Sequence, residues 1–295
     1  CALGAGRVSD YLKLTLQDRK LAIACGASAG LAAVYQVPVA SIFFAFETLG
    51  LGISVLNLIS VSVTTILASI VAGVVISDAP LYETAQVTLD VKTAILAMFL
   101  VVLISPIAQL FRRLTQKAQA KKTTDPNVLW RLPLTFLLLA SLSLIFPEIL
   151  GNGAALAQAV FDGMTVQYAA VIVVVKAFVV LLTLKNGAYG GTLTPSFSMG
   201  AVLGFLGAVL CSQIFPTISL ASAMLIGSSV FLAITMNAPL TAVGLVVSFT
   251  GQKLQALPVL LIAVALAIVI KKLIEYIERK IYVNPYRSQT RRNRR

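Results

Sequence analysis

Long apolar runs follow one another along this chain with only short polar breaks between them: Ile53–Ile76, Ala94–Phe111, Val128–Phe146, Tyr168–Leu184, Val202–Ile214 and Leu257–Ile274. About 20 apolar residues in a helix cross the hydrocarbon of a bilayer, and most of these runs reach or approach that length. The fifth is short. Charge agrees with the runs: of 295 residues 58% are hydrophobic and 12% charged, and the mean hydropathy is +0.93. An ordinary soluble domain is about a quarter charged. A soluble enzyme, a disordered chain and a nucleic-acid-binding module with a wetted surface are excluded. The fold class expected is all-α, a polytopic membrane protein.

Several other runs are too short to span. Leu21–Tyr35 is cut by Pro38 from Val39–Leu49, and Ile218–Thr235 is cut by Pro239 from Leu240–Phe249. Proline pushes the residue before it out of the helical region, so each pair should be two helices, the second a half-span. Broken helices at membrane depth persist only where they are buried in protein or line a polar cavity. The two pairs also match each other. A shift of 201 residues lays Gly26 on Gly227, Ser28 on Ser229, Leu31 on Leu232, Ala32 on Ala233 and Pro38 on Pro239, with Gln36-Val37 against Asn237-Ala238. An internal inverted repeat with interrupted helices is the pattern of secondary transporters and their channel relatives, whose sites lie where the breaks meet. The expected division is 1–76 for the remainder of a first membrane repeat, 77–91 for an extracellular loop, 92–280 for a second repeat, and 281–295 for the start of a last helix and a basic tail.

Twenty-three Lys and Arg face eleven Asp and Glu, with no His, for a net charge of +12. The basic residues collect at Arg112, Arg113, Lys117, Lys121, Lys122 and Arg131, and again from Arg287 to Arg295. Each cluster abuts an apolar run, so the positive-inside rule puts both on the cytoplasmic side, with anionic lipid as the surface they meet. The loop holding Asp78, Glu83 and Asp90 then faces outward. Three scattered cysteines and no histidine leave little for metal or redox chemistry, so no metal site and no cofactor are expected; Cys25 and Cys211 read as packing residues. The first residue is Cys, and Cys1–Leu14 reads as the later part of a helix, so the sequence is expected to be a fragment.

The most informative break is Asn186-Gly187-Ala188-Tyr189-Gly190-Gly191-Thr192-Leu193-Thr194-Pro195. Proline is tolerated in a helix's first turn, so a helix is expected from near Thr192 to about Cys211. Its free N–H groups and partial positive charge make an anion site without a cationic side chain. The alternative is a plain glycine hinge between helices.

These residues resemble a known family. Gly190-Gly191-Thr192-Leu193-Thr194-Pro195 resembles the G-x-F-x-P motif of the CLC family of chloride channels and proton-coupled chloride transporters. The stretch Gly26–Pro38 resembles that family's small-residue helix and its proline, with Gln36 in place of the usual asparagine. Ser41–Leu49 is similar to its ensuing short helix with a glutamate near the end, and Asn237-Ala238-Pro239-Leu240-Thr241 to the equivalent stretch of the second half. Pro147–Gly153 and Lys176 also fall in order, so the likeness covers essentially the whole chain.

The resemblance implies transmembrane chloride transport, channel-like or as chloride/proton exchange, by a homodimer with one pathway per subunit. It implies an anion held by backbone N–H groups at Thr192 and Leu193, with Gly190, Gly191, Thr194 and Pro195 shaping the turn; Leu193 replaces the usual aromatic. Tyr282 is the candidate for the family's anion-coordinating tyrosine, with Tyr276 close by; an interfacial anchor is the other reading of either. Thr48 stands where proton-coupled members carry an inner glutamate, and Glu47 beside it is either solvated or part of a proton route. The family's serine-bearing loop and gating glutamate would both lie upstream of Cys1, so this chain alone is expected to conduct poorly. A fluoride-selective relative is the runner-up, because Thr192 and Thr194 set polar groups beside the site. A cation-coupled solute carrier would want carboxylates inside the spans, which are nearly free of them. An enzyme has no nucleophile–base pair here. Lys176, near the middle of its run, is either an ion partner or snorkels to the interface.

Overall fold

In the computed structural model, residues 1–76, 79–87, 90–212 and 219–292 are described. Twelve α-helices are present among them: α1 Ala2–Tyr11, α2 Leu16–Tyr35, α3 Pro38–Glu47, α4 Val55–Gly73, α5 Val91–Ala120, α6 Val128–Ser143, α7 Ala154–Asp162, α8 Val166–Lys185, α9 Leu193–Ser212, α10 Leu220–Met236, α11 Pro239–Phe249 and α12 Leu257–Arg292. Short 3-10 turns at Pro147–Ile149 and Leu254–Ala256 complete the helical elements, and no strand occurs among the described residues. Among the described residues five helices are long and apolar enough to cross a membrane.

Proline and local capping fix where the helices start and stop. Pro38 and Pro239 each occupy the first turn of a helix, where a missing N–H costs nothing. The residues two places earlier, Gln36 and Asn237, both adopt left-handed backbone, with φ of 54° and 57°. They end α2 and α10 at positions related by the 201-residue shift. Thr15, Ser54, Asp90, Thr165 and Ser219 cap the starts of α2, α4, α5, α8 and α10 through their side-chain oxygens. The short Val202–Ile214 run has its explanation: α9 begins nine residues earlier, at Leu193, inside the glycine-threonine segment.

The core is built on α9 and α10. Every residue of α10 from Ser222 to Ile234 is buried, and most of α9 with it. Glycines allow the approach, as small residues do between membrane helices. A Cβ on Gly204 would run into the carbonyl of Ala223, one on Gly227 into the carbonyl of Gly200, and one on Gly200 would lie 2.6 Å from Ser228 Cα. Around this pair, α5 and α12 pack on α10, α7 and α8 pack on α9, and α11 joins α10 to α3. The arrangement α1 to α4 repeats as α9 to α12: α1 lies on α2 as α9 lies on α10, and α4 on α2 as α12 on α10. The two half-spans α3 and α11 run antiparallel, because Glu47 at the end of α3 meets Leu240 and Thr241 at the start of α11, while Ala40 near the start of α3 touches Gly244. The repeat is therefore inverted.

Arg113 on α5 bonds Glu278 on α12, and Arg112 lies 3.6 Å from Glu275. The C-terminal ends of α5 and α12 are thus at the same end of the molecule. The loop between α4 and α5 lies across the other end, where Val87 N–H donates to Gln252 and Tyr82 N–H to the carbonyl of Phe249.

Candidate anion site at the start of α9

At the end of α8, the Asn186 side chain donates to Thr135 Oγ1 at 2.7 Å, which anchors the segment that leads to α9. Gly190 and Gly191 follow, both exposed, and a Cβ built on either would have nothing within 4 Å. Open space therefore lies beside the backbone just before the helix. Ser196 N–H donates to the Thr192 carbonyl at 2.9 Å, the first rung of the ladder. The amides of Thr192, Leu193 and Thr194 precede that rung, and Pro195 has no N–H, so this end presents free donors and the positive end of a 20-residue helix. In the same turn Ser196 Oγ is fully buried without a hydrogen-bond partner.

The turn is held from two sides. Tyr35 OH, at the end of α2, lies 3.3 Å from Thr194 Oγ1. Tyr35 also packs on Phe249 at the end of α11, with ring centroids 5.2 Å apart. The break between α2 and α3 and the start of α9 therefore meet, as the sequence suggested for interrupted helices. On the other side, Gly153, with φ of +104°, sits against the Thr194 carbonyl and Pro195; a Cβ there would lie 2.7 Å from Ser198 Oγ. The Pro147–Gly153 turn is itself braced by Lys176. Its ammonium is buried within the protein and donates to the carbonyls of Ile149 at 2.6 Å and Gly151 at 3.3 Å. Lys176 does not snorkel. Its partners are backbone carbonyls, reached across more than twenty residues of sequence.

Glu47 is not simply solvated. Its carboxylate accepts from Leu240 N–H at 3.0 Å, Thr241 N–H at 2.8 Å and Thr241 Oγ1 at 2.8 Å, capping α11 from the end of α3. An acid at a helix start is favoured by the same partial charge that favours an anion. Thr48 is the exposed C-cap of α3. Asn237 accepts a bond from Lys271, a buried cation on α12 that sequence reading passed over. Its one visible signal was a charge at the end of the Leu257–Ile274 run. The side chain of Tyr282 lies outside the described residues; that of Tyr276 on α12 is exposed.

Tyr82 was also missed. It belongs to the polar loop before α5, yet it is 2% exposed, stacks on Phe197 of α9 with centroids 4.9 Å apart, and meets Phe249 edge-on at 6.0 Å. Burial pushes its phenol well above the ordinary tyrosine range, and its hydroxyl has no partner. Nothing in the spacing of a loop tyrosine distinguishes it from an interfacial one.

A family model described as voltage gated chloride channel matches residues 1–272. Proteins named voltage-gated ClC-type chloride channel ClcB are similar: that of Escherichia coli O17:K52:H18 is 32% identical over 265 residues, and that of Escherichia coli K12 31%. Each alignment covers 87% of this chain but 62% of the relative, so the chain spans less than two thirds of their length. Among solved structures, a slow cyanobacterial Cl-/H+ antiporter aligns with a TM-score of 0.81 at 20% identity, covering 92% of this chain and 65% of the other. A CLC-type fluoride/proton antiporter aligns with a TM-score of 0.74 at 22% identity, covering 92% and 67%. At that identity the likeness is one of fold. The chain belongs to the voltage gated chloride channel family.

Proposed function

We propose that this chain carries part of a chloride pathway across the membrane, with the anion held at the start of α9 by the amides of Thr192 and Leu193. The observation that carries the reading is the pairing of free helix-start donors with open space beside Gly190 and Gly191. Chloride is well matched to such a site, because partial charges and amides replace its hydration without trapping it in an ion pair. Gly190, Thr194 and Pro195 shape the turn, Pro38, Asn237 and Pro239 set the neighbouring breaks, and Tyr282 is the remaining candidate ligand. Thr48 binds no proton at accessible pH and Glu47 is occupied as a cap, which favours channel-like conduction over exchange.

The same proposal includes the sidedness and the assembly. Residues 1–76 and 92–280 are the two repeats, 77–91 faces outward, and the tail 281–295 is cytoplasmic in a plasma or inner membrane. Support comes from the basic residues of α5 and α12 gathering at one end. A homodimer surrounded by lipid belongs to this reading too. Only Val61 and Thr65 of α4 are buried, leaving a long apolar face to be covered. A fluoride-selective pathway is the second reading, favoured by the Thr194 hydroxyl beside the site, since a small hard anion needs more hydrogen bonds to offset dehydration.

The test is ion efflux from liposomes holding the full-length protein, with protons followed at the same time. Chloride efflux without proton movement is expected, and fluoride efflux alone promotes the second reading. Absence of any anion flux overturns both. Gly191→Leu sharpens the result: the position has room for a side chain, so the fold should survive while flux falls at least about tenfold, the effect of roughly 1.4 kcal/mol on the barrier.

A further inference from the structure

The cytoplasm-proposed end of α8 is flanked by two grooves. One, of about 540 Å³, lies between α6 and α8 and is lined by Trp130, Arg131 and leucines. The other, of about 310 Å³, lies between α5 and α8; its walls are Leu114, Phe178 and Leu181, and its rim carries Lys117, Lys121 and Lys185. The smaller groove is the more informative. Its three ammonium groups come from two helices and have no hydrogen-bond or ion-pair partner among the described residues. Asp125 is the one acidic residue between Val91 and Pro147, and its carboxylate accepts a bond from Asn127. The larger groove has a single cation, Arg131, which already lies 5.2 Å over the Trp130 ring and 3.5 Å from Thr123 Oγ1. The carbonyl at the end of α8, which would repel an anion, is occupied: Thr123 donates to the Lys185 carbonyl through its N–H at 2.9 Å and its hydroxyl at 3.2 Å.

Three free cations above an apolar trough, at the end of two membrane-crossing helices, match one kind of occupant in both halves. We propose that the α5/α8 groove binds an anionic phospholipid, its phosphate between Lys117, Lys121 and Lys185 and an acyl chain along Leu114, Phe178 and Leu181. Charge complementarity selects the headgroup, and the apolar walls select a lipid over a soluble phosphate. Neither element depends on which ion the protein carries.

Native mass spectrometry of the full chain in detergent tests this, with phosphatidylglycerol added against phosphatidylcholine of the same acyl chains. Phosphatidylglycerol should be retained in preference. Retention should fall roughly fivefold for each lysine changed to Gln and about a hundredfold in the Lys117→Gln/Lys121→Gln/Lys185→Gln variant. Arg131→Gln should change it less than about twofold, and millimolar inorganic phosphate should not displace the lipid. Equal retention of the two lipids, undiminished retention by the triple variant, displacement by phosphate, or an equal loss with Arg131→Gln would each overturn the proposal. The three lysines have no hydrogen-bond or ion-pair partner among the described residues, so the triple variant should unfold at the wild-type temperature when lipid-free, which separates a lost site from a lost fold.

Discussion

The two broken pairs, α2–α3 and α10–α11, share one backbone solution and differ in how deeply it is buried and in the chemistry of what ties it. Both end their first helix on a left-handed residue, both restart on proline, and both bury a serine hydroxyl without a partner, Ser28 and Ser229. Even the side-chain ties correspond. Ser69 on α4 donates to Gln36 at 3.0 Å, and Lys271 on α12, one residue past the position the same shift assigns to Ser69, donates to Asn237. Yet α2 buries only Ala24, Ser28 and Ala32, while α10 is buried from Ser222 to Ile234. One pair is tied by a neutral hydroxyl and the other by an ammonium. The break itself is a matter of backbone geometry; what surrounds it decides how much stability and chemistry the break carries.

Matched substitutions measure that difference. The largest gap is expected between Gly227→Ala and Gly26→Ala. At Gly227 the new methyl meets the backbone of Gly200 and Gly204, which are fixed in the core, so the cost should be about 3 kcal/mol. At Gly26 it meets Ala5 Cβ at 3.0 Å and the Cys1 carbonyl at 3.2 Å, tight contacts with a largely exposed helix rather than a clash with core backbone, and under about 1 kcal/mol is expected. Thermal unfolding in detergent reads both, and equal costs would mean the two crossings are equally rigid. Next comes Asn237→Gly, which removes the hydrogen-bond acceptor of a buried ammonium, leaving it the looser ion pair with Glu275 at 4.0 Å, and should cost about 2 kcal/mol by the same measurement. Glu47→Ala should follow at about 1 kcal/mol through loss of the α11 cap. Its counterpart Ser248→Ala should be within about 0.5 kcal/mol of neutral, the range of substitutions away from such features.

How far these features were legible in the sequence follows the distance between partners. Pro38, Pro239 and the start of α9 act within a few residues of themselves, through φ angles and the absence of an N–H, so the breaks and half-spans can be read from spacing. The inverted repeat is legible for the same reason, since local identities preserve local geometry. Glu47 on Thr241, Tyr35 on Thr194 and Tyr82 on Phe197 join residues more than a hundred positions apart, and no periodicity encodes which element a side chain will meet. Lys176 and Lys271 are visible as charges in or beside apolar runs, but their hydrogen-bond partners, two carbonyls and an amide, are uncharged and distant in sequence; the i,i+4 pair of Lys271 with Glu275, at 4.0 Å, is the part that a local charge pattern carries. At the candidate site, the backbone donors were legible and the bracing around them was not.

A small effect of opposite sign is the most discriminating. Gln36→Gly removes a side chain from a left-handed position, where a residue other than glycine or asparagine costs about 1–2 kcal/mol. It also removes the bond from Ser69 and the one that Gln36 donates to the Ala33 carbonyl at 3.1 Å, two neutral pairs worth together about 1 kcal/mol net. The two terms oppose each other, and thermal unfolding should move by less than about 1 kcal/mol, toward stabilisation. Asn237→Gly should move the other way, because asparagine tolerates the left-handed region better than glutamine and so has less strain to release. Opposite signs at two positions with the same backbone would isolate the side-chain ties as the difference between the repeats. A clear loss at Gln36→Gly, as large as at Asn237→Gly, would mean that the Ser69 bond holds its break as firmly as the buried lysine holds the other.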